Sequence, residues 1–163
     1  MYSSNDKSAS NSSLQNVSNE IETLPKEAIK RRLLLAEDSE DLRFIFSRMI
    51  ALGGFEVDSV NDGASAYKRA LESEEQETPY DVACLDVSMP IWDGVKTAQE
   101  LRKAGWKRPL IALTAYPSTE KEEECLNAGF DSFISKLTPP QQLVTGIYYC
   151  LSQEKSEKNS AEN

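Results

Sequence analysis

Val82-Ala83-Cys84-Leu85 runs directly into Asp86, and the chain continues Val87-Ser88-Met89-Pro90-Ile91-Trp92-Asp93-Gly94. Four consecutive apolar residues without polar alternation fit a short strand covered on both faces. A carboxylate at the end of such a strand, with Met-Pro as punctuation after it, marks the point where the strand leaves its sheet. The same signature recurs on either side. Leu33-Leu34-Leu35-Ala36 ends in Glu37-Asp38, and Leu110-Ile111-Ala112-Leu113 ends in Thr114-Ala115. A last short strand at Phe133-Ile134 ends in Ser135-Lys136, while Phe55 and Val57 alternate with polar neighbours as a half-exposed edge strand does.

Helical patterns separate these runs. Leu42, Ile45, Phe46, Met49 and Ile50 fall on one face of a helix that Gly53-Gly54 stops. Further helices are expected from about Ala64 to Glu72, around Val95, Ala98 and Leu101, and from Thr119 to Asn127 before Gly129. The last opens at Thr138-Pro139-Pro140-Gln141, with Pro139 at its first position, and its apolar face is Leu143, Val144, Ile147, Tyr148 and Leu151. Strands that alternate with helices pair in parallel, and right-handed crossovers place helices on both faces of the sheet. The fold class is therefore a doubly wound α/β domain, expected over residues 30–152. Residues 1–29, rich in Ser and Asn apart from a short leading helix expected from Leu24 to Ile29, and the polar residues 153–163 are expected as disordered tails.

Composition narrows the chemistry. Acidic residues number 27 against 18 basic, a net charge of −9, which argues against nucleic acid as the main partner. No apolar run is long enough to cross a membrane, and no secretory leader is visible, so a cytoplasmic setting is expected. Cys84, Cys125 and Cys150 are too scattered for a disulfide framework or a zinc site and read as buried packing thiols. Trp92 and Trp106 fall in loops, where exposure hints at a contact surface. Histidine is absent, which removes Ser-His-Asp and Cys-His catalysis and any internal phosphohistidine.

Ligands of such sheets bind beyond the carboxyl ends of the strands. Four strand ends deliver Glu37, Asp38, Asp86, Thr114 and Lys136 to that edge. Taken alone, Glu37-Asp38-Ser39 is an ordinary helix cap and Lys136 an ordinary solvated side chain. Together, the acids suit a hard cation such as Mg²⁺, a carboxylate can serve as nucleophile toward phosphorus, and the lysine offsets phosphoryl charge. The set suits phosphoryl transfer to Asp86.

The order of acidic pair, Asp-x-x-Met-Pro-x-x-Asp-Gly, Thr-Ala and Lys resembles the receiver domain of two-component response regulators, the CheY-like fold, over about Arg31 to Leu151. The resemblance implies a sheet order of 2-1-3-4-5. It implies that Asp86 is the phosphoacceptor, that Asp38 binds Mg²⁺ directly and Glu37 largely through water, and that the Ser88 carbonyl completes the metal shell. Lys136 and Thr114 would hold phosphoryl oxygens, Phe133 would be the aromatic switch, and Ser88 and Tyr116 would tune dephosphorylation, with Tyr116 covering the phosphoryl group. Two positions depart from the pattern: Leu137 replaces the usual proline after the lysine, and Trp92 stands where methionine is common.

The function implied is a phosphoacceptor module with self-catalysed transfer and slow autodephosphorylation rather than a conventional enzyme. Its donor would be a histidine kinase or histidine phosphotransfer protein. The reader would be a downstream protein, engaging the face made by the fourth helix, fifth strand and fifth helix. A stand-alone regulator leads, with a receiver from a hybrid kinase or a relay intermediate second and an unphosphorylated interaction scaffold third. A haloacid-dehalogenase phosphatase would need an acid where Ser88 stands, and a dinucleotide enzyme would need a G-x-G-x-x-G turn.

Overall fold

A computed structural model describes residues 30–161. The three apolar runs become the centre of the sheet, because a strand with no polar side chain is stable only when both faces are covered. β1 (Arg31–Ala36) lies between β2 (Phe55–Val60) and β3 (Val82–Asp86), followed by β4 (Leu110–Thr114) and β5 (Ser132–Ser135). All pairings are parallel and the order is β2-β1-β3-β4-β5. Leu33 is level with Val57 on one side and Val82 on the other. The edge strand β2 is only partly covered, with Phe55 and Val60 buried at its ends and Glu56 and Ser59 exposed, so burial does not follow the strict alternation its sequence suggests.

Five helices among the described residues return the chain: α1 (Glu40–Leu52), α2 (Gly63–Glu75), α3 (Gly94–Lys103), α4 (Thr119–Ala128) and α5 (Pro140–Ala161). Ser39, Asp62, Asp93 and Ser118 cap the first four, each side-chain oxygen accepting from a backbone N–H three residues on. Successive strand residues point to opposite faces, so the central strands feed two cores. Leu33, Leu35, Val82, Cys84, Ile111 and Leu113 pack under α1 and α5, against Phe46, Ile50, Leu143 and Ile147. Leu34, Ala36, Ala83, Leu85, Leu110 and Ala112 pack under the other three helices, where Ala66, Ala70 and Ala98 give the close approach that small residues allow.

Several expectations need correction. Trp106 is buried rather than exposed, because its indole folds into the second core and its Nε1 donates to Glu74 Oε1 at 3.1 Å. Trp92 is half-buried. Ile45 faces solvent, since Phe46, Met49 and Ile50 already occupy the arc of α1 that meets the sheet. α5 starts at Pro140, one residue later than Pro139. It also continues to Ala161, through nine residues expected to be tail; residues 153–161 contain no Gly or Pro and are rich in helix-forming Glu, Lys and Gln. The expected tail at residues 1–29 and the short helix at Leu24 to Ile29 lie outside the described residues. All three cysteines are buried, as expected of packing thiols.

Candidate functional site

The reversal of strand order falls between β1 and β3, where neighbouring crossovers leave in opposite directions and open a crevice at the carboxyl ends. β1 delivers Glu37 and Asp38 there, and β3 delivers Asp86. One ligand oxygen from each of the three lies within 4.8 Å of the others. Asp86 is 3% exposed and Glu37 only 1%, whereas Asp38 opens to solvent. Lys136, from the end of β5, reaches across: its Nζ is 2.8 Å from Asp86 Oδ2 and 2.5 Å from Glu37 Oε2. One ammonium therefore bridges two carboxylates that would otherwise repel each other in a dry crevice.

The turns hold these groups by backbone bonds. Glu37 N donates to Val60 O, and Lys136 N donates to Thr114 O at 2.7 Å. Ser39 N donates to Glu37 Oε1 at 3.2 Å, and Ser88 N to Asp86 Oδ1 at 3.0 Å, so each buried acid keeps one oxygen on a backbone amide. Arg43 Nη1 donates to the Glu37 carbonyl at 2.9 Å. Sequence reasoning missed this clamp on the acidic turn. The available signal was a cation one helical turn past the Ser39 cap. Gly94 is needed for space, since a Cβ there would come within 2.3 Å of the Asp86 carbonyl oxygen.

Burial pushes the Asp86 carboxyl above its ordinary range, against the opposing pull of Lys136 and of the Ser88 amide. Burial likewise raises Glu37, with the Asp86 charge adding to it and Lys136 opposing. At Lys136 burial favours the neutral amine, but the contacts with Asp86 and Glu37 outweigh it and hold the ammonium charged beyond its usual pH.

The remaining expected residues divide. Thr114 is buried, and its Oγ1 accepts from Tyr116 N at 3.2 Å. Ser88 is exposed at the crevice mouth. Phe133 is partly buried against the second core. Tyr116 is 85% exposed, so its side chain stands in solvent in this conformation. Leu137 N donates to Ser135 Oγ at 3.2 Å and its side chain is exposed, so a hydroxyl-closed turn stands where receiver domains usually carry proline.

Residues at this site fit a hard divalent cation. The Lys136 ammonium lies 2.5 Å from Glu37 Oε2, and no backbone or hydroxyl donor reaches that buried oxygen. The cluster offers only oxygen ligands and has one open side at Asp38, which is the donor set such ions take.

A family model for the response regulator receiver domain matches residues 33–148. Transcriptional regulatory protein TctD of Salmonella typhimurium is 39% identical over 105 residues, covering 64% of this chain and 45% of that protein. The osmosensing histidine protein kinase SLN1 of Saccharomyces cerevisiae is 28% identical over 131 residues, 79% of this chain but 11% of that protein. Among solved structures, the chemotaxis protein CheY4 of Vibrio cholerae superposes with a TM-score of 0.68 at 26% identity, over 75% of this chain and 99% of that one. This chain thus spans about half the length of curated relatives such as TctD. Among the described residues no helix is long and apolar enough to cross a membrane. With the family match over most of its length, the sheet order and the acid crevice at the switch point, the chain belongs to the response regulator receiver domain family.

Proposed function

We propose that Asp86 accepts a phosphoryl group from a phosphohistidine on a separate histidine kinase or histidine phosphotransfer protein, with Mg²⁺ in the acid crevice. The observation that supports this most is the single ammonium of Lys136 held between Asp86 and Glu37. A structural ion pair needs one carboxylate; two buried acids and a third at the mouth are a costly surplus unless a cation joins them. Mg²⁺ would be held by Asp38, Asp86 and the Ser88 carbonyl, with Glu37 acting through water, and would neutralise charge on the transferring group.

An Asp86 oxygen attacks phosphorus, its O–P bond forms as the donor N–P bond breaks, and the electron pair returns to the imidazole nitrogen. Lys136 then trades its contact with the carboxylate for one with a phosphoryl oxygen, and Thr114 turns its hydroxyl from the Tyr116 amide toward another. Movement of Thr114 opens space for Phe133, which lies level with Ala112, two residues before Thr114 along β4, to turn inward and change the face of α4, β5 and α5 that a downstream protein reads. The module works in the cytoplasm as a regulator, with dephosphorylation tuned by Ser88 and Tyr116.

Intact-mass measurement after incubation with acetyl phosphate and Mg²⁺ tests the assignment. The wild-type chain gains one phosphoryl group, and Asp86→Asn gains none. An equal gain in both sinks the assignment of Asp86. A receiver within a hybrid kinase is the second reading, favoured by the similarity to SLN1.

A further inference from the structure

Residues 87–93 join β3 to α3, and both ends of this loop are pinned. Gly94 N donates to Val87 O at 3.1 Å, and the Gly94 backbone rests directly on the Asp86 carbonyl. Any shift in the path of the loop is therefore passed to Asp86. Within the loop Ile91 has φ +68°, a left-handed conformation that β-branched residues rarely adopt. Its side chain is 85% exposed, so no burial of its own holds it there. The surroundings must over-determine such a backbone.

The next residue supplies the restraint. The Trp92 indole lies 5.5 Å from the Tyr67 ring of α2, tilted by 54°. Lys96 Nζ stands 4.6 Å from the centre of the same indole. Both contacts are attractive for a ring with a negative face. The Trp92 carbonyl also packs onto Gly63, where a Cβ would come within 2.4 Å of it, so α2 is shaped to receive this loop.

We propose that Trp92 is a positioning residue for the acid crevice: clamped between Tyr67 and Lys96, it holds the strained loop in the path that aligns the Asp86 carboxylate and the Ser88 backbone, and thereby sets the affinity for a divalent cation. The cation-affinity part rests on the reading of the crevice given under the proposed function; the loop-holding part does not.

The test uses the full chain in two measurements without any phosphodonor: Mg²⁺ affinity by calorimetry, and hydrogen exchange of the Ser88 and Gly94 amides in chelator. Trp92→Ala is expected to weaken Mg²⁺ binding about tenfold, the usual effect of losing support behind a ligand, and to speed both amides by a similar factor. Trp92→Phe keeps an aromatic ring and is expected to restore both values to within about twofold of wild type. Tyr67→Leu leaves Trp92 in place but removes its platform, and is expected to shift both readouts in the same direction as Trp92→Ala, so it decides the matter if Trp92→Ala does not fold. A tryptophan that serves stability alone would lower the melting temperature and leave Mg²⁺ affinity and the two amides at wild-type values, which overturns the proposal. Wild-type protein that binds no Mg²⁺ overturns the cation reading instead, and the amide exchange then decides the role of Trp92 by itself.

Discussion

Lys136→Met replaces the bridging ammonium with an uncharged side chain of similar length, so packing changes little and the charge is removed. The lysine side chain is 9% exposed, and those of its partners Glu37 and Asp86 are 1% and 4%. At an effective dielectric near 20, each contact of this length carries about 6 kcal/mol of gross attraction. Most of that is cancelled by the cost of dehydrating three charged groups, and removing one member of a buried pair costs about 3–5 kcal/mol net. The two acids also have an escape, because each can take up a proton for about 1.4 kcal/mol per unit of pH above its pKa. We expect a loss near 3 kcal/mol at pH 7 in metal-free protein.

The pH dependence of this loss separates the explanation from a packing defect. Burial already raises both carboxyls in the wild-type fold. Without the ammonium they rise further, and the folded variant then holds more protons than its unfolded chain between pH 4 and neutrality. Stability of the variant must fall as pH rises through that window. At pH 4 both acids are largely protonated, and the variant should approach or exceed wild type, which still buries an ammonium. Urea unfolding in chelator at several pH values between 4 and 7 gives the difference directly. A deficit that stays constant across this range, or one below about 1 kcal/mol at pH 7, would refute the reasoning.

Mg²⁺ at about 100 times its dissociation constant should raise unfolding free energy by about 2.7 kcal/mol, and by less at pH 4.5, because protons compete for the same carboxylates; circular-dichroism melts with and without the ion check this. Gly94→Ala drives a Cβ against backbone at Asp86 that cannot yield, so a stability loss of about 1–3 kcal/mol is expected together with weakened Mg²⁺ binding. Tyr80→Phe removes the hydroxyl that donates to Asp58 Oδ2 at 2.5 Å, costing about 1 kcal/mol while Arg69 keeps Asp58 paired. Burial, and then Asp58, push the Tyr80 phenol up to about 12, so wild type sheds stability between the ordinary tyrosine pKa and that value. The variant should lack this alkaline limb, which stability measurements from pH 9 to 12 would reveal.

Much of this molecule was legible in one dimension. Leu33 to Ala36, Val82 to Leu85 and Leu110 to Leu113 carry no polar side chain, so each had to lie in a sheet covered on both faces, and the helices between them had to cross back in one hand. The residues after each run, and after the short strand at Phe133-Ile134, then had to stand at the sheet edge, which is why Glu37, Asp38, Asp86, Thr114 and Lys136 could be gathered before any coordinates. Local rules of this kind depend on neighbours in the chain. They do not carry a distance between groups far apart along it. The depth of Glu37, the span of Lys136 between two acids, and the burial of Trp106 on Glu74 depend on how far helices settle onto the sheet, and the chain registers that only when the layers close. The same is true of Ile45, whose apolar side chain fits the helical repeat yet lies outside the arc that meets the sheet, and of Ile91, whose left-handed backbone no propensity favours.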